Sequence, residues 1–160
     1  MMLKRLTLFV ALTLWPLQSF VQAQDIAERA LGETIYVPAY SRIFSYPNRS
    51  DLLASTLAVH NVDPKTSITL QNVGYHGEGG ELIRTLLEEP FVLAPLQSKT
   101  VLIPINDTSG GVGANFLLTW TSDEAALSPI AEAIMTSGIG GPGPSFTSRG
   151  RVIERRTAKD

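Results

Sequence analysis

In NFLLTW, Asn115 to Trp120, the bulky residues Phe116, Leu118 and Trp120 occupy every second position. A period of two puts them on one face of a strand and leaves Leu117 and Thr119 on the other. The spacing recurs along the chain. Leu53, Leu57 and Val59 share a phase with Ser55 in LLASTLAVHNV, and Val101, Ile103 and Ile105 share one in TVLIPIN. SITLQNVGY holds Ile68 and Leu70 in one phase and Val73 and Tyr75 in the other, a slip that predicts a bulge near Asn72. His76 to Gly80, HGEGG, supplies the glycines of a hairpin turn into ELIRT. With YVPAYSRIFSY and PSFTSRGRVI, turn signals come roughly every 8 to 12 residues, the spacing of β-sandwiches. The expected fold is all-β: an Ig-like or related two-sheet antiparallel sandwich of about seven strands. Leu57, Val59, Ile68, Leu70, Val101, Ile103, Phe116, Leu118 and Trp120 are its expected core.

Other segments test this pattern. Asp25 to Leu31 has helical spacing and ends at Gly32, which predicts a short N-terminal helix. In SPIAEAIMTSG, Ser128, Pro129 and Gly138 suit the cap, first position and stop of a helix. Ile130, Glu132 and Ile134 also alternate with Ala131, Ala133 and Met135. A strand with the alanines outward is the favoured reading, because it closes an otherwise open sheet edge. Pro104 lacks an N–H and predicts that TVLIPIN is an edge strand. ERRTAKD, residues 154–160, mixes charges without apolar spacing and reads as a flexible tail.

Compartment follows from the first residues. Lys4 and Arg5, the apolar run Leu6 to Leu17 and the small-residue signal Val21-Gln22-Ala23 have the layout of a secretory signal peptide cleaved after Ala23. The run is about 12 residues against the roughly 20 of a membrane-spanning helix, so no stable membrane anchor is expected. The chain has no cysteine, hence neither a lipid-bearing thiol nor a disulfide. The expected organisation is a signal at 1–23, a lead-in at 24–33, a single sandwich domain at 34–153 and the tail at 154–160, located in the periplasm or secreted. Lys4 and Arg5 leave with the signal and no acid does, so 13 basic residues fall to 11 against 15 acidic ones. That balance argues against nucleic acid as a partner.

Chemistry has few candidates. Asp107-Thr108 after the apolar IPIN is similar to the start of an aspartic-protease loop, but Ser109 stands where glycine belongs and no second such motif exists. A hydrolase centred on Asp107 would therefore need a homodimer. Asp107 and Thr108 also suit bonds within their own turn. Gly110, Gly111 and Gly113, with Asn115 beyond them, could instead turn backbone N–H groups toward an anion. His60 and His76 lack further ligands at metal spacing, and no nucleophile elbow is present. No metal or cofactor is expected. Arg149 and Arg151 lie beside Phe146 and Val152 in an expected strand, while Arg155, Arg156 and Lys159 belong to the charged tail. Asn48-Arg-Ser50 and Asn106-Asp-Thr108 fit the glycosylation acceptor pattern, relevant only in a eukaryotic secretory route.

YVPAYSRIF, LAVHNVDP, DTSGGVGANFLLTW and FTSRGRVI, in that order, resemble the blocks of a family of small exported bacterial proteins catalogued as domain of unknown function three-one-two-four. The resemblance spans Ile35 to Ile153. It implies bacterial export and a common β fold and carries over no catalytic residue. It also groups the 107–116 loop with the 148–153 strand and favours a strand at Ile130 to Met135. The reading that follows is a non-enzymatic binding or interaction module. Its partner would be another envelope protein on an edge strand such as TVLIPIN, or an anionic ligand at the glycine loop and Arg149 or Arg151.

Overall fold

The computed structural model describes residues 28–138 and 143–157. Residues 1–27, with the expected signal segment, residues 139–142 and residues 158–160 lie outside them. The described residues form twelve strands and no helix: β1 (Arg29–Pro38), β2 (Arg42–Tyr46), β3 (Arg49–Leu52), β4 (Ala54–His60), β5 (Ile68–His76), β6 (Leu82–Thr85), β7 (Phe91–Leu93), β8 (Ser98–Ile103), β9 (Asn115–Leu127), β10 (Ile130–Thr136), β11 (Ser145–Arg149) and β12 (Arg151–Arg156). One antiparallel sheet runs β12-β1-β9-β5-β6, with β7 also on β5, and the other runs β11-β10-β4-β8. β2 and β3 pair with each other. The inner faces of the two larger sheets share one core, in which Ile35, Leu57, Val59, Ile68, Leu70, Ile103, Phe116, Leu118, Trp120 and Met135 are buried.

Alternation therefore read the central strands correctly. Val101 is the one expected core residue that is only half-buried. The β5 phase slip is a register shift between Leu70 and Asn72 against β9. HGEGG turns β5 into β6. β8 is an edge, with Pro104 just past its last residue.

Several expectations are corrected. Twelve strands replace about seven, because short pieces such as β6 and β7 share one neighbour. Of the expected helix, Arg29 to Leu31 is strand, paired through Arg29 and Ala30 to the end of β9, and the residues before Glu28 lie outside the described part. Sheet pairing overrides local helical spacing there. Residues 154–156 are not tail but the second half of β12, held in register on Gly32 to Thr34. Strand structure thus begins before residue 34 and continues past 153. In β10 the strand is present but its phase is reversed: Ala131, Ala133 and Met135 are buried and Ile130 is 51% exposed. Gly150 donates to the Ala131 carbonyl at 2.8 Å and lies close to Ile35 and Val37, so the β11–β12 crossing packs against this end of β10.

Two features join the sheets. At one end, loops cross between them around Asn61 and Asp63, both buried. Asn61 Nδ2 donates to the carbonyls of Thr66 (2.9 Å), Leu93 (3.1 Å) and Ala94 (3.0 Å). Asp63 accepts from the N–H groups of Lys65, Thr66 and Leu127 and from Arg29 Nη1 at 2.7 Å. One carboxylate thus ties the start of β1, the end of β9 and the β4–β5 crossing. Elsewhere the chain passes from β11 in one sheet to β12 in the other across Gly150. A Cβ there would lie 2.7 Å from Ile35 Cγ2 and 2.9 Å from the Ala131 carbonyl oxygen, so only glycine permits the approach.

Burial alone would raise the Asp63 pKa, but the N–H donors of Lys65, Leu127 and Thr66, with Arg29, outweigh it and hold the group at about 2. A folded pKa below the unfolded one stabilises the fold above the unfolded value and loses that contribution as pH falls through the folded value. Urea unfolding between pH 5 and pH 2 should therefore show a loss of about 2 kcal/mol attributable to Asp63, confined to the window below about pH 4. Asp63→Asn should be less stable at neutral pH and lack that step, whereas an unchanged step in the variant would assign it to other acids.

Candidate functional site

The 106–114 loop leads from β8 toward β9 and is packed against the chain's own acids and aromatics. Asp107 Oδ1 accepts from the Ser109 N–H at 3.1 Å and the Ser109 hydroxyl at 2.5 Å, and Oδ2 pairs with Arg84 on β6. The Ser109 hydroxyl above all, with Arg84 and the Ser109 N–H, holds the Asp107 carboxyl below the usual carboxylate range against the opposing effect of partial burial. Arg84 also lies over the Tyr75 ring, 5.2 Å from its centroid. Both oxygens of the only candidate catalytic acid are thus committed to fixed partners. Nothing in this geometry supports hydrolysis.

The anion cradle is filled from within. Glu78, in the β5–β6 turn, accepts the Val112 N–H at 3.0 Å, and its own N–H donates to the Gly110 carbonyl at 3.0 Å. Gly111 has φ +70°, and a Cβ on it would meet the Glu78 carboxylate. Gly110 is buried, and a Cβ there would meet the Tyr75 hydroxyl. Gly113 is exposed beside Glu78 Cβ. The Thr108 carbonyl accepts from Gly111 at 3.2 Å, which closes the turn. Asn115 opens β9 between Pro38 and His76. The glycines therefore serve a turn whose anionic guest is a side chain of the same chain. Sequence reasoning missed Glu78 and Arg84. The acid between two glycines in His76 to Gly80 was the one local signal.

Asp107 pairs with neither Arg149 nor Arg151. What the loop and the β11–β12 segment share is the end of β1. Ala39 N–H donates to the Ala114 carbonyl at 2.8 Å, Ser41 bonds the Gly111 carbonyl, and the Ser148 hydroxyl bonds that of Pro38. Tyr40 and Phe146 pack at 5.9 Å between centroids.

The arginines divide into two groups. Arg155 Nε donates to Glu33 Oε1 at 2.7 Å, and Glu33 Oε2 accepts from Trp120 Nε1 at 3.1 Å and the Ser128 hydroxyl at 2.5 Å. The Glu33 side chain is fully buried, so losing Arg155 would strand a buried charge. Arg155 also pairs with Glu28, and Arg156 donates to the Leu31 carbonyl at 3.1 Å. Both belong to the fold rather than to a solvated tail. Arg149 and Arg151, either side of Gly150, are exposed, and among the described residues their side chains have no hydrogen-bond or ion-pair partner. They line a surface groove of about 680 Å³ with Tyr36, Pro38, Val152 and Ile153.

Residues 32–153 match the family described as "Protein of unknown function (DUF3124)". The chain belongs to this family. No curated protein matches the chain. Among solved structures, the crystal structure of Thermotoga maritima 1070 aligns at 9% identity and a TM-score of 0.42 over 77% of this chain and 96% of that one, a likeness too slight to carry an argument. The family match spans the loop, the β11–β12 crossing and the Asn61–Asp63 hub together.

A double-mutant cycle on Arg84→Gln and Asp107→Asn, followed by urea unfolding, should give a coupling of about 0.5–1 kcal/mol, as expected for a partly exposed pair. A coupling near zero would show that Asp107 serves only its own turn.

Proposed function

We propose that this protein is a non-enzymatic binding module of the bacterial envelope, exported by a signal cleaved after Ala23. Its contact surface is the β11–β12 crossing, and the partner presents anionic groups to Arg149 and Arg151. One observation carries this reading. Of the four arginines on these two strands, Arg155 and Arg156 are absorbed by the fold, whereas Arg149 and Arg151 are left uncommitted on an otherwise acidic protein. Two exposed guanidiniums lining one groove with Tyr36 and Val152 suit planar, bidentate recognition of carboxylate or phosphate. The β8 edge, with Leu102 57% exposed, offers a second surface on which a partner strand could add.

Export is checked by intact mass of the envelope fraction, which should give a chain beginning at Gln24. Retention of Met1 would contradict it. For the contact surface, the tagged protein is used to capture partners from envelope extract. Arg149→Glu/Arg151→Glu should lose the partner while melting with the wild type, and Leu102→Lys on β8 should keep it. Retention by the charge reversal and loss by Leu102→Lys would move the contact to the edge strand.

A further inference from the structure

The crossing at Gly150 has a second consequence for the same surface. β11 accompanies β10 only as far as the Glu132–Arg149 pair, and the chain then leaves for β1. Ile130 therefore has β4 on one side and no β11 residue on the other, and Ala131 meets only the N–H of Gly150 there. A groove of about 660 Å³ opens there between the diverging sheets. Aliphatic groups of Ile35, Val62, Ile130 and Val152 line it, with His60, Ser128, Glu132 and Arg149 as its polar side chains. The volume falls within the range of small-ligand sites, roughly 300–1,000 Å³.

We propose that this groove binds an amphipathic anion, with an aliphatic body between the sheets and a carboxylate or phosphate head on Arg149. The proposal rests on the reading that the crossing is the contact surface. The lining decides the class of ligand. Its apolar part carries no aromatic ring to stack a planar ligand, and of its four polar side chains His60 is bonded to Ser98 and Ser128 to Glu33, which leaves too few for a sugar's hydroxyls. Arg149 brings a full positive charge with no hydrogen-bond or ion-pair partner among the described residues. Glu132, its cross-strand neighbour, also lines the groove, and its negative charge keeps an anionic head on the Arg149 side. His60 is fixed through Nδ1 to the Ser98 hydroxyl at 2.6 Å and bounds the groove rather than swinging across it.

Isothermal titration of the protein, purified after expression of the full-length chain, with octanoate, octyl phosphate and octanol tests this. At least one anion should bind with unit stoichiometry, and octanol should bind roughly tenfold more weakly or not at all. Arg149→Gln should weaken the anion about tenfold, and Ile130→Ser, at an exposed position, should weaken it several-fold with the melting temperature kept. Arg49→Gln, on the β2–β3 hairpin, should bind as the wild type does. Preference between the two anions separates a free fatty acid from a phospholipid fragment as the source of the head. Absence of binding by both anions, or equal binding by Arg149→Gln, would overturn the proposal. If the charge reversal still abolishes partner capture in that case, the contact surface stands and only the ligand class falls.

Discussion

One buried carboxylate holds this sandwich together where its chain changes sheets. Asp63 collects three backbone N–H groups and Arg29, while its neighbour Asn61 donates to three carbonyls of adjacent loops. Loop crossings leave backbone groups that neither sheet can pair, and a buried unpaired group costs roughly 1–3 kcal/mol. Two side chains meet that demand for the β4–β5, β7–β8 and β9–β10 connections. With no cysteine in the chain, these bonds and the shared core take the place of a disulfide.

The second sheet change is made differently, and the difference bears on function. At Gly150 the chain passes between sheets within one extended segment, with no loop to bend. That passage requires a residue without a side chain, small residues on the facing β10 strand and a gap where β11 departs. The same geometry sets Arg149 and Arg151 on either side of the crossing, clear of the acids that neutralise Arg155. A structural necessity and an uncommitted pair of charges thus coincide in SRGR.

The sequence revealed those features that a single strand decides for itself. Phe116, Leu118 and Trp120 alternate with smaller or polar residues, so their strand and its inward face were legible. The phase slip at Asn72 and the edge position marked by Pro104 were legible for the same reason. The phase of β10 was not, because Ile130 and Ile134 on one side and Ala131, Ala133 and Met135 on the other are both apolar. The register of β10 on β4 and β11 decides between them. Glu78, Arg84, Glu33 and Arg155 were missed because their partners lie far along the chain, and alternation carries no information about which strands are neighbours. The acids and bases of such pairs look like ordinary surface charges until the fold brings them together. Asn61 and Asp63 were visible as part of LAVHNVDP, yet a polar pair ending an apolar strand is also what an exposed turn shows.

The proposed contact with a partner lies at the β11–β12 crossing. A photo-crosslinking amino acid at Ile153, exposed in the groove beside Arg149 and Arg151, and separately at Leu102 on the β8 edge, tests it in living cells. A discrete adduct is expected from position 153 and none from position 102. An adduct from position 102 with none from 153 would contradict it and make the open edge of β8 the working surface.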